Sequence, residues 1–472
     1  MCFTTEKLLN PAISRLPWNL KTKATTGLSK KPRSWCSMNS STVLKELFIK
    51  QFHSFENTLN GEKELPLHQI RKDAIKKFSA LSFPSIKDEG WKYTNINPLL
   101  SKTFKPADSI PEIDPEFINK YLFDKKEFVT LVFVNGYFSK EFSESDSLPK
   151  GLILETISEA IKKHPELVLT YFSKSASSEK NIFTALNTAF ANHGTFIFVE
   201  ENAIIEKPIQ ILYVTKADDI FVSPRNLFLV NKNAQVKIIE TYAGFGDRSY
   251  FTNQVTEFVI NDYAVVEHVR IQDEQLNAFH ISTLSVALEK STNFSSYNIN
   301  FGGSFVRNNV NAKFNGGFAE CRLNGLYVTE GTQFIDNHTS IDHAKANCLS
   351  SELYKGILND SSRGVFNGKV FVRQDAQKTN AYQQNKNILL SNDAIVNTKP
   401  QLEIFADDVK CSHGATVGQL DKDQLFYLKA RGIQEKEAKA ILIYAFASDV
   451  VHSISILQVR DRLESLLAEK LL

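Results

Sequence analysis

The sequence predicts a mainly β protein, with a coiled sheet of the β-helix type between a mostly helical N-terminal region and a helical C-terminal one. Three observations predict it. From Gly194 onward some 200 residues run as short alternating stretches, among them "QVKIIETY", "YAVVEHVRIQ", "FSSYNINF" and "GVFNGKVFV". Strand starts near Ile281, Phe294, Val306, Cys321, Phe334, Leu349 and Val365 lie roughly 12–17 residues apart, and no convincing helix interrupts them. Tight Asn-Gly turns are few there, whereas Asn, Ser and Gly recur at corner-like intervals ("NFGGSF", "FNGGFAE", "LNDSSRG"). That pattern suits stacked parallel coils better than the alternative, an antiparallel sandwich or barrel.

The elements follow in order. Residues 1–38 form a leader outside the fold, 39–193 an N-terminal domain, 194–418 the β-helix and 419–472 a C-terminal helical domain. Ser41 can cap a helix in which Leu44, Leu47, Phe48, Phe52, Phe55 and Leu59 recur mostly at three and four. A second helix spans about Leu67 to Leu81, and two more fit Leu152–Lys163 and Lys180–Asn192. "FPSIKDEGWKYTNINPL" breaks periodicity and reads as an ordered loop, and "FVTLVFVNGYFSKEF" is a hairpin turning at Asn135-Gly136. At the C-terminus, Asp421 with Gln424 resembles a capping box, and "KDQLFYLKARG" ends at Gly432, a suitable residue just past a helix.

Composition narrows the function. Apolar residues make up 42% of the 472, including 35 Phe, so a large core is available, yet no run approaches the roughly 20 apolar residues of a membrane span. Net charge is +2, but residues 1–37 hold seven Lys/Arg against Glu6, so the remainder carries about −4. A mildly acidic body argues against nucleic acid as the main partner. The acid-poor leader reads as sequence upstream of a true start at Met38, with an organelle transit peptide as the alternative. Five cysteines without a C-x-x-C indicate reduced thiols in a cytosol-like compartment.

No phosphate-binding G-x-x-x-x-G-K-[ST], dinucleotide loop, nucleophile elbow or H-E-x-x-H is present, so any ATPase must be a partner. The candidate that remains is "ADDVKCSHGATVG". Cys411 and His413, two apart, share one face of a strand and could supply two of the four ligands that zinc or iron wants. On spacing alone, an ordinary structural pair is the stronger reading. Asp407, Asp408 and His413 superficially resemble a β-helix polysaccharide-active enzyme, but adjacent aspartates on a strand point to opposite faces. Asp336, His338, Asp342 and His343 in "DNHTSIDH" read more simply as polar corner residues than as a metal site, and Arg363 and Lys369 as solvent-facing. Leu442, Tyr444, Phe446 and Val450 make one late helix apolar on more than one side, as expected if it packs on both the body and a partner, although a simple cap on the β-helix explains it equally well.

The stretch from Asp336 to Ile433, with "DEGWKYTNINPLL" nearer the N-terminus, resembles the SufB/SufD family of iron–sulfur cluster assembly proteins of the SUF system, on its SufD side. The resemblance implies a right-handed parallel β-helix with helical flanks and no enzymatic step of the chain's own. It implies pairing with SufB through the β-helices and binding of the SufC ATPase through the C-terminal helices, with Leu425, Leu428, Leu442, Tyr444, Phe446 and Val450 as candidate contacts. A homodimer is the expected state of the chain alone. Cys411 and His413 match a family cysteine and histidine at the SufB seam, which implies a transient iron or nascent cluster shared with SufB and not permanently bound by this chain alone. A purely structural role for the chain is the alternative. The implied compartment is a bacterial cytoplasm, or a plastid if residues 1–37 are a transit peptide.

Overall fold

A computed structural model describes residues 40–59, 61–144 and 147–471. The leader, with Cys2, Cys36 and Met38, lies outside the described residues. From Ser40 onward the chain forms one compact unit. Among the described residues no helix is long and apolar enough to cross a membrane.

The core is a parallel β-solenoid of about eight turns, built from an 11-stranded and a 10-stranded sheet that the chain visits alternately. Successive strands of one sheet are therefore every second strand of the sequence, paired in parallel and in register. Phe294, Cys321, Ser350, Ala381 and Cys411 form one inward column, each the Cα partner of the next. The steps are 27, 29, 31 and 30 residues, so each coil spends two strands and two corners. The strand starts expected at Phe334 and Leu349 fall on the observed strands Phe334–His343 and Leu349–Leu358. Corners are turned by single residues with positive φ, among them Asn233, Ser291, Asn347 and Asp360, where short polar side chains tolerate the left-handed region.

Inside, Phe228 meets Phe258 edge to face and Phe258 meets Phe294 at a tilt, at centroid distances of 4.9 and 5.4 Å. Beyond that apolar row the interior turns polar. Arg270 donates to Asn298 and Asn308, and Asn308 to Asn300 and Asn337, all buried. Two tyrosines fit because glycine stands beside each in the ladder: Tyr354 partners Gly325, and Gly356 partners Tyr327. A Cβ at Gly325 would lie 2.2 Å from the Tyr354 ring.

The sheets also take strands from before residue 194. Val129–Val134 pairs in parallel with Ile209–Lys216 and turns back at Asn135 and Gly136, both with positive φ, onto Tyr137–Phe138. The expected helix Leu152–Lys163 is split: Leu152–Thr156 is a strand antiparallel to Thr195–Val199, and the helix is Ile157–Lys163. Leu152 and Leu154 alternate inward, and Thr156 caps the helix by accepting from the Glu159 amide, so two short signals had read as one helix. The fourth helix is likewise shorter, Ile182–Ala189, starting at an Asn181 cap.

Helices Ser40–Thr58 and Pro66–Ala80 lay a phenylalanine cluster, including Phe48, Phe52 and Phe78, against Phe190, Phe221 and Phe251. The irregular "DEGWKYTNINPL" segment is ordered because it clasps a buried ion pair on the outer sheet face. Trp91 stacks 3.8 Å from the Arg307 guanidinium, Arg307 pairs with Asp336, and Thr94 donates to Asp336. On the opposite wall, helices Glu435–Val451 and Leu457–Leu471 pack Ile443, Ala447, Val450 and Leu463 onto Ile299, Leu326 and Ile357.

Candidate functional site at the open end of the solenoid

Among the described residues the last coil has no coil above it. Strands Ile395–Ile404 and Lys410–Gly418 end the two sheets, each paired on one side only among the described residues. Their inward side chains, covered by a following coil everywhere else, are half-buried or exposed here. Ile395, Ile404, Phe405 and Val417 are among the large apolar residues left in solvent. The two edges differ. Ile395–Ile404 carries Pro400, which has no N–H to offer. Lys410–Gly418 has no proline, and among the described residues its outer N–H and C=O groups have no strand partner.

Cys411 and His413 lie on this second edge. Their partners Ala381 and Gln383 both point inward and are buried. Residues in register on parallel strands face the same way, so Cys411 and His413 face the interior at its mouth. Cys411 is half-buried against Ala381, Ala376 and Val372, while His413 is exposed. Burial pushes the Cys411 thiol above its ordinary value, although a backbone hydrogen bond from Ala381 opposes the rise. A thiol of that kind is neutral until a cation displaces its proton. Cys321 and Cys348 are free thiols as well but lie buried within the wall.

Two residues missed by the sequence reading stand behind His413. Its inward column runs Leu323, Glu352, Gln383, His413. Gln383 Nε2 donates to Glu352 Oε2 at 2.7 Å, and both side chains are buried. Burial raises the Glu352 carboxyl to about 7. Stacking the coils at their spacing of about 30 residues would have aligned these positions, but strand starts alone do not fix the register.

The other candidates are not brought together. His338 and His343 do face opposite sides: His338 pairs with Asp336 at 2.9 Å on the outer face, while His343 bonds Ser350 Oγ inside at 2.9 Å. They sit within a strand rather than at a corner. Asp342 pairs with Arg373, and Lys369 with Glu403 at 2.7 Å, while Arg363 is exposed. Asp407 and Asp408 are exposed, and Asp408 pairs with Lys378. Among the described residues no group of three or more His, Cys, Asp or Glu could hold a metal ion.

The candidate partner contacts also divide. Leu425, Leu428, Leu442, Tyr444 and Phe446 are half-buried. Val450 must be corrected: it is fully buried against the sheet wall, because the helix turns that side to Ile357 and Leu463. The free apolar surface lies instead on Phe426, Tyr427 and Ile441, exposed by 74%, 57% and 45%.

Comparison with known proteins agrees with this architecture. Residues 213–446 match the SufBD core domain of SUF-system FeS cluster assembly, and residues 42–211 match the SufBD protein N-terminal region. The chain is 31% identical over 415 residues to the iron–sulfur cluster assembly SufBD family protein slr0076 of Synechocystis sp., covering 86% of this chain and 91% of that one. It is 30% identical to the iron–sulfur cluster assembly protein SufD of Escherichia coli over 88% of this chain and 94% of the relative. It is also 30% identical to the chloroplastic protein ABCI7 of Arabidopsis thaliana over 96% of each. With both halves matched and the solenoid in place, the chain belongs to the SufBD family of iron–sulfur cluster assembly proteins.

Proposed function

We propose that this chain is a non-enzymatic scaffold subunit in which Cys411 and His413 are half of a transient site for iron or a nascent cluster. One observation carries the reading: a thiol and an imidazole share one face of the solenoid's terminal strand, whose outer edge is unpaired among the described residues. Two ligands leave iron's coordination unfinished, which suits cargo in transfer better than storage. A paralogous SufB chain supplies the rest by docking at the open end, where backbone pairing along Lys410–Gly418 and burial of Phe405 and Val417 hold the seam. A second copy of this chain occupies the same end when SufB is absent. The SufC ATPase binds the helices after Leu420 through Phe426, Tyr427 and Ile441, flanked by Leu425, Leu428 and Leu442. Its ATP-driven dimerisation strains the seam through those helices and opens the ligands to iron and sulfide. A reducing compartment follows from the free thiols, a bacterial cytoplasm or a plastid, and the relatives include a bacterial protein and a chloroplastic one.

The test is reconstitution with SufB and SufC. Cys411→Ser with His413→Ala should leave the complex assembled and abolish cluster build-up. Normal cluster yield from that variant removes the pair from the mechanism and leaves the chain a purely structural subunit.

A further inference from the structure

The column behind His413 contains an unfinished hydrogen bond. Gln383 is only 1% exposed, yet its carbonyl Oε1 has no partner among the described residues. A buried amide oxygen left bare is costly, so a donor within reach should engage it.

The orientation of the amide follows from its neighbour. Ionised or neutral, the Glu352 carboxyl keeps an oxygen that accepts, and it takes the NH2 end of Gln383, at 2.7 Å. Glu352 stands on the strand to one side of Gln383 and His413 on the strand to the other. Gly368, on the facing sheet, makes room: a Cβ there would meet Gln383 Nε2 at 2.3 Å. With its NH2 committed to Glu352, the amide has only its oxygen left for a donor. The next residue in the column is an imidazole roughly one strand spacing, about 4.8 Å, away along the backbone.

We propose that Gln383 is the positioning residue of His413: its free carbonyl oxygen accepts the N–H of one ring nitrogen and leaves the other for the metal. Glu352 anchors the amide from behind. Imidazole ligands ordinarily donate their second N–H to such a group, which fixes tautomer and ring orientation. Here the orienting group is supplied by the preceding coil of the same chain, and the exposed His413 ring engages it by turning inward, with no partner residue required. This inference rests on the reading of His413 as a ligand, and its test separates the two.

The full-length chain with 15N-labelled histidine is observed by long-range proton–nitrogen spectroscopy, and His413→Ala identifies the signals of His413. Before metal is added, wild-type His413 should show one neutral tautomer. Gln383→Met, which removes the acceptor at similar volume, should give averaged shifts of two tautomers. Gln383→Glu, which restores an acceptor, should return the single form. Titrated with Zn2+, Gln383→Met should bind roughly tenfold more weakly than wild type, as loss of a ligand's orienting partner does. If Gln383→Met fails to fold because Glu352 is left alone, Gln383→Met with Glu352→Leu carries the same comparison. The same tautomer in wild type and Gln383→Met overturns the proposal. Wild-type His413 signals that ignore Zn2+ overturn the ligand reading instead, whatever the tautomer.

Discussion

Lys355 Nζ donates to the carbonyl oxygen of Phe446 at 2.7 Å and ties the outer wall of the solenoid to the helix Glu435–Val451. The ammonium also pairs with Asp449 and lies 4.6 Å from the centre of the Phe446 ring. Its side chain is 3% exposed, so this cation is held by the helix rather than by water.

Lys355→Met should therefore loosen that helix selectively. Hydrogen bonds to a charged group contribute about 1.5–3 kcal/mol, and the methionine recovers part of the packing. Hydrogen exchange should quicken in residues 435–451 and stay unchanged in Ser40–Thr58. Uniform protection across the variant would show that Lys355 does not pin the helix.

Glu352 makes stability depend on pH. Its folded value of about 7 lies above the ordinary 4.5, so the folded state holds the proton more tightly than the unfolded one. Stability from this group is greatest below about pH 4.5 and falls as pH rises through 7. The full difference is about 3 kcal/mol. Glu352→Gln should be the more stable protein at pH 8, with its advantage shrinking toward pH 5 in denaturant titrations. A constant difference across that range would contradict the assignment.

Asp336 compensates the buried Arg307. Burial alone would raise its carboxyl, but Arg307 and His338 outweigh burial and hold it below the ordinary value. Asp336→Asn leaves the guanidinium without its counter-ion, and breaking a buried pair in this way costs about 3–5 kcal/mol. The Trp91 loop should release with it, seen as proteolysis between Phe83 and Leu99 that wild type resists.

Cys411 should be the first of the three described thiols to react with an alkylating reagent, because Cys321 and Cys348 are buried. Its raised value moves the rise in rate to higher pH than for an ordinary thiol. Peptide mapping of a brief alkylation tests both statements, and faster labelling of Cys321 would refute the burial described for the column.

Gly356 has a packing duty that its type alone does not reveal. A Cβ there would sit 2.4 Å from the Tyr327 ring, which is fully buried and bonded to Asn387 at 2.6 Å. Gly356→Ala should cost about 1–3 kcal/mol by overpacking. A melting temperature equal to wild type would mean that the ring can move aside.

Much of this molecule was legible from local pattern. The coil of strands, the hairpin at Asn135-Gly136, the helix starting at Ser40 and the Asp421 cap each depend on residues within a few positions of one another. The Leu152–Lys163 segment was misread because a strand and a capped helix abut without a break, and only pairing with Thr195–Val199 separates them. Val450 was assigned to a partner because its helix is apolar on more than one side, and periodicity does not say which side meets the body.

The sequence by itself determined that Cys411 and His413 share a strand face and that the chain coils, since both follow from periods of two residues and of a turn. Only the tertiary structure decided that this strand is the last of its sheet, that its face opens at the mouth of the interior, and that Gln383 and Glu352 stand behind it. Those facts depend on which residues become neighbours across coils of about 30 residues. That register is settled by packing the whole interior at once, Tyr354 beside Gly325 and Tyr327 beside Gly356, and not by any one segment.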